Sequence, residues 1–140
     1  MNILGVSAGF HDAALTVLSP SGDIVFAGHS ERYSKKKNDA DLCAGIVQET
    51  FGMNIGTVAY YERPWLKQLR QGYAGQGIEW NKITVGQIVR SQLKPKLLGD
   101  AKLHSYNHHR CHAAAGFQTS TFDRATIVVI DAVEIGRAHV

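Results

Sequence analysis

Asn2-Ile-Leu-Gly-Val-Ser7 and Ala13-Ala-Leu-Thr-Val-Leu18 are two short strand-like runs parted by Ala8-Gly-Phe-His-Asp12, and their reading decides the fold. The separator is a tight polar turn. Ser19-Pro-Ser-Gly-Asp23 is a second turn, with Pro and Gly at its punctuating positions, and Ile24-Val-Phe-Ala-Gly-His29 continues as a third strand. Three antiparallel strands therefore open the chain. Further on, residues 42–51 place Leu42, Cys43, Ile46, Val47 and Phe51 at helical spacing, with Gly52 as the stop. Thr57-Val-Ala-Tyr-Tyr61 reads as a strand. Trp65, Leu66, Leu69 and Tyr73 stand at helical spacing after Pro64, and Gly75 and Gly77 then mark a loop. Residues 83–93 form a further helix that Pro95 should end or kink. Lys102-Leu-His-Ser-Tyr106 is a strand leading into a helix, and the apolar run Ala125-Thr-Ile-Val-Val-Ile130 reads as a fully buried strand. Strands first and alternating elements later imply an α/β domain with a mixed sheet.

The chain has 140 residues and is 44% hydrophobic, enough for one domain with a normal core. Its apolar runs fall far short of the roughly 20 residues a membrane span needs, and no basic leader precedes the first strand, so a cytoplasmic protein without membrane attachment is expected. Cys43 and Cys111 stand alone, outside any C-x-x-C spacing, and read as two thiols. The formal charge of +3 is concentrated at Arg32, Lys35, Lys36 and Lys37, a cluster whose plain reading is a solvated loop. Nucleic acid is accordingly not the expected partner. Tyr60, Tyr61, Trp65, Tyr73 and Trp80 lack interleaved basic residues and read as core and rim rather than as a base-stacking platform.

The chemistry-bearing stretch is Tyr106-Asn-His-His-Arg-Cys-His-Ala-Ala-Ala-Gly-Phe117, with His108 and His112 four residues apart. On a helix that spacing turns the second side chain only about 40° past the first, so both imidazoles share a face and can hold a divalent metal. Asp131, at the end of the final strand, is the third candidate ligand, and the small Ala113-Ala-Ala-Gly116 run beside the pair suits close packing. Nitrogen and oxygen donors without thiolates suit Fe, Zn or Mn and leave positions open for substrate. His109, about 100° away, could donate to substrate or be solvated. In the first turn, Gly9 permits close backbone approach and His11 could donate to a phosphoryl or carbonyl oxygen, whereas Asp12 reads as a turn former. Ser30-Glu-Arg-Tyr-Ser-Lys-Lys-Lys-Asn-Asp39 gathers cations able to hold an adenylate phosphate or a carbamoyl oxygen. The last seven residues, Glu134-Ile-Gly-Arg-Ala-His-Val140, do not continue the pattern and match a translated library adapter, so residues 134–140 are expected to be a non-native tail.

Four segments in order, Ile3-Leu-Gly-Val-Ser-Ala-Gly-Phe-His-Asp-Ala-Ala14, Ser30-Glu-Arg-Tyr-Ser-Lys-Lys-Lys37, His108-His-Arg-Cys-His-Ala-Ala114 and Val129-Ile-Asp131, make residues 1–133 resemble the N-terminal part of the O-carbamoyltransferase family, the nodulation-factor and antibiotic-tailoring type. The resemblance implies an incomplete actin-like, sugar-kinase-type (ribonuclease H-like) fold, a mixed sheet with flanking helices. It implies a full-length enzyme in which a second domain makes carbamoyl-adenylate from carbamoyl phosphate and ATP. This domain would then transfer the carbamoyl group to a small-molecule hydroxyl acceptor. His108, His112 and Asp131 fall on ligand positions for a divalent metal of the Fe(2+) type, and His11 and Lys36 on transfer-site positions; a further ligand would lie downstream, so this stretch is not expected to catalyse by itself. Asn38 stands where the family often has histidine. The alternatives are a tRNA threonylcarbamoyl transferase-like protein, and a non-catalytic nucleotide-binding or interaction module.

Overall fold

The computed structural model describes residues 1–10, 12–93, 95–130 and 135–139. They divide into two units, Met1–Ser105 and Tyr106–Val140, each considered by itself.

The first unit opens as expected. Strands β1 (Asn2–Ser7), β2 (Ala14–Leu18) and β3 (Ile24–His29) form an antiparallel meander in which Ile3 faces Leu18, Ser7 faces Ala14, and Ala14 faces His29. Strands β4 (Ile55–Tyr60) and β5 (Lys102–Ser105) then add in parallel, giving a five-stranded mixed sheet in the order β3-β2-β1-β4-β5. Successive strand residues point to opposite faces, so Leu4, Val6, Leu15, Val17, Val58 and Tyr60 gather into the core at 2% exposure or less. Each side chain buried this fully is worth about 1.5–3 kcal/mol relative to an exposed one.

Three helices, α2 (Ala44–Glu49), α4 (Val85–Gln92) and α5 (Pro95–Leu98), supply that core with Ile46, Val47, Ile88, Val89, Leu97 and Leu98. Helix α4 starts where Thr84 and Gln87 form a reciprocal capping box. It stops at Leu93, whose backbone is extended, and Pro95 opens α5 instead of kinking α4, because the first helical position needs no N–H. The other helical elements are α1 (Ser30–Ser34), α3 (Pro64–Tyr73) and a 3-10 turn at Trp80–Lys82. The first half of the basic stretch is thus a helical turn rather than a loop.

In the second unit, α6 (His108–Gln118) packs beside β6 (Thr126–Ile130), which pairs antiparallel with β7 (Ile135–His139). The expected full burial of residues 125–130 is not observed. Val129 is 7% exposed, but Val128 is 63% and Ile130 77% exposed. A two-stranded ribbon with one helix beside it covers alternate side chains only. Likewise only Ala113 of the small-residue run is buried, and Ala114, Ala115 and Gly116 are exposed. Among the described residues no helix is long and apolar enough to cross a membrane.

Candidate functional site

Helix α6 begins at the histidines because Asn107 caps it, its side-chain oxygen accepting the Arg110 N–H at 3.4 Å. His108 becomes the first helical residue and His112 stands one turn on. Their Nε2 atoms lie 3.1 Å apart, with ring centroids at 4.5 Å and planes at 82°. Without a metal, one Nε2 must carry the proton it donates to the other. Two nitrogens each about 2.1 Å from one cation stand at a separation of this size when they are neighbours in its coordination sphere, so the pair fits two ligand positions. His109 lies at 6.0 Å from the His108 ring centroid and does not join the pair's face. A cavity of about 330 Å³ opens beside His112, lined by Gly116 and residues 127–130. Asp131, the expected third ligand, follows that lining in sequence but lies outside the described residues. No group of three or more His, Cys, Asp or Glu able to hold a metal occurs among the described residues.

The other two motifs come together within the first unit. The turn after β1 is held from below by the Tyr60 hydroxyl, which donates to the Ala8 carbonyl at 2.5 Å. From the side, Gly9 N–H donates to the Ala40 carbonyl and Ala13 N–H to the Asp39 carbonyl, each at 2.7 Å. Gly9 at φ 91° and Asp12 at φ 48° use the left-handed backbone region to make the reversal. Ser30 closes the arrangement. Its N–H donates to Ala13 O at 2.7 Å, its hydroxyl donates to Asp41 O at 2.8 Å, and it accepts Cys43 N–H at 2.9 Å. Segments far apart in sequence, residues 9–13 with Ser30 and residues 39–40, are therefore docked by backbone bonds. His11 itself lies outside the described residues.

Asp39, which ends the basic stretch in sequence, is the anchor of this loop. It is 6% exposed, and its carboxylate lies 3.6 Å from the Lys36 ammonium. Ser34's hydroxyl bond holds the Asp39 carboxyl below the usual range, the Asp41 N–H and the Lys36 charge adding to it against the cost of desolvation. Lys35 at φ 58° and Asn38 at φ 53° bend the chain around it. No spacing rule picks out Asp39, because its partners are set by the left-handed turns and not by periodicity. Next to the turn, Tyr61 has its phenol pushed up to about 12 by burial and by Glu62, opposed by a bond from Ser7. Lys67 Nζ stands 3.7 Å from the Phe10 ring centroid, a cation–π contact on the same turn. The aromatic residues divide: Tyr60 is core, but Trp65, Tyr73 and Trp80 are 54%, 97% and 71% exposed, contrary to the expected core and rim.

No family model matches the chain. No solved structure matches it either. It is similar to an uncharacterized protein of Synechocystis sp., sll1178, at 28% identity over 159 aligned positions, covering 94% of this chain and 25% of that protein. The chain thus spans about a quarter of the length of the curated relative it matches.

Proposed function

We propose that the chain is the N-terminal part of an O-carbamoyltransferase with an actin-like fold, acting in a whole protein that moves a carbamoyl group from carbamoyl-adenylate to the hydroxyl of a small molecule. The observation that carries this reading is the His108–His112 pair, its Nε2 atoms 3.1 Å apart on a capped helix beside a cavity. The five-stranded mixed sheet with flanking helices is compatible with that fold, and the reading is supported by the Ser30 N–H donating to the Ala13 carbonyl, which ties the start of the Ser30–Lys37 motif to the end of the first one.

In this reading His108, His112 and Asp131 would hold a divalent metal, Fe(2+) by resemblance, which when bound would supply positive charge for the oxygens of the adenylate. Lys36, 70% exposed at its side chain but tethered to Asp39, offers ammonium N–H donors to the carbamoyl oxygen as negative charge develops there. His11 would donate to the same oxygen from the turn. The acceptor hydroxyl attacks the carbamoyl carbon, the new C–O bond forms as the bond to the phosphate oxygen breaks, and AMP leaves while the hydroxyl proton passes to a base.

The test is anaerobic titration of the full chain with Fe(2+) and with Mn(2+), followed by calorimetry and by the imidazole NMR signals of His108 and His112. One equivalent should bind, and His108→Ala or His112→Ala should weaken it by at least about tenfold, since a ligand is lost. Absent binding, or binding that survives both substitutions, overturns the proposal.

A further inference from the structure

Residues 74–82 are a strap laid over the end of α3, and residues 74–81 are all exposed. Gly75 at φ 74° and Gly77 at φ 86° turn the chain there. The strap is held down by the Gln76 N–H, which donates to the Gln71 main-chain carbonyl at 2.9 Å, and by the Glu79 N–H, which donates to the Gln68 side-chain oxygen at 2.7 Å. Between them Ile78 lies against Gly72, where an added Cβ would stand 3.0 Å from Ile78 Cγ1. At the far end the 3-10 turn packs on both α3 and α4. Its Lys82 Nζ stands 5.5 Å from the Phe10 ring centroid, and Lys67 of α3 stands 3.7 Å from the same ring. Gly9 backs onto Ile88 of α4, so the strap and both helices meet at the first turn. The closed strap carries a penalty of its own. Gln68 is 2% exposed, and the bond from Glu79 fixes which way its amide points; its Nε2 and the buried Oε1 of Gln71 then have no hydrogen-bond partner among the described residues. A buried donor and a buried acceptor left unpaired weaken the arrangement that buries them, because both would bond to water once uncovered.

We propose that residues 74–82 are a lid over the first turn, which opens about Gly75 and Gly77 when Glu79 leaves Gln68 and so uncovers Phe10. Residues 79–82 move as one piece, since the Lys82 N–H donates to the Glu79 carbonyl at 2.9 Å and the Lys82 ammonium lies 3.1 Å from the Glu79 carboxylate. The second hinge is Ile83, because the next residue, Thr84, is fixed by the capping box of α4. Little opposes the motion. Few buried apolar contacts and exposed backbone bonds mark a segment that opens at low free energy, and the two orphaned amide atoms lower that free energy further by favouring the open state. The proposal concerns a movement and does not rest on the carbamoyl-transfer reading; under that reading the lid controls access to the turn that carries His11.

Nitrogen-15 relaxation dispersion on the full chain reads such a motion, which belongs to the microsecond-to-millisecond range. The expected result is excess transverse relaxation at the amides of residues 75–82, at the Gln68 side-chain NH2 and at Phe10, all fitted by one rate, while β2 and β4 stay flat. Gln71→Met removes the orphaned acceptor and should lower the open population at least about threefold. Gly77→Ala penalises the φ of 86° that the closed strap requires and should raise that population at least about threefold. Gly22→Ala carries the same kind of backbone penalty, at φ 95° in the turn between β2 and β3, and should leave exchange in the strap unchanged. Flat dispersion across residues 75–82, exchange in the strap that Phe10 does not share, a response to Gly22→Ala, or a Gln71→Met variant whose open population rises would each overturn the proposal.

Discussion

Replacing Tyr60 by Phe tests how the first turn is held, because the change removes one oxygen and nothing else. The ring is fully buried and its packing stays. Its hydroxyl donates to the Ala8 carbonyl, and Ala8 is itself 0% exposed, so the variant leaves a buried acceptor without that donor. Losing one partner of a buried hydrogen bond costs about 1–3 kcal/mol. For a unit of about 100 residues, each kcal/mol lowers the melting temperature by about 4–8 °C. The loss should also be local: the Gly9 and Ala13 amides, which donate to Ala40 and Asp39, should exchange faster than those of β2 and β4 away from the turn. Urea unfolding followed by circular dichroism gives the first quantity, and amide exchange by NMR the second. A stability change under about 0.5 kcal/mol, the level of an inert surface substitution, would refute the assignment of Tyr60 as the strut of this turn. So would unchanged exchange at Gly9 and Ala13.

Three further outcomes follow from the same geometry. Gly9→Ala should cost about 1–3 kcal/mol by urea unfolding, since φ is 91° and the added Cβ would stand 3.1 Å from Ile88 Cγ2. The Asp39 carboxyl is held below its ordinary 3.8, so the unfolded chain binds the proton more readily; its contribution is complete above that value and is lost as pH falls through the lower folded one, and Asp39→Asn should flatten this acid limb in a stability–pH series. Asn107→Ala removes the cap of α6 and should cost about 0.5–2 kcal/mol of local stability, read as faster exchange of the first α6 amides, while Asn107→Ser restores most of it.

The legible parts of this chain are those governed by local rules. The three opening strands, the proline boundary and the histidine helix follow from alternation, turn residues and capping, all of which act over a few residues. The histidines' common face is likewise a property of the helical repeat, so their 3.1 Å approach needed only the cap at Asn107 to put both on the helix. Asp39 was not legible as an anchor: its value lies in bonds reached through two left-handed residues, and neither Lys35 nor Asn38 announces that conformation as a glycine would. The burial of residues 125–130 is not legible in the sequence, because an apolar run tells what a strand can bury and not how many layers cover it.

Residue order alone determined the type and approximate place of most elements, because caps, turns and periodicity are short-range. The tertiary structure alone decided which elements became neighbours. It put β4 beside β1, docked residues 39–40 onto the turn at Gly9 and Ala13, and turned Gln68 inward with Trp65 outward. These choices depend on the total surface buried and on backbone bonds between segments distant in sequence, which no local window contains.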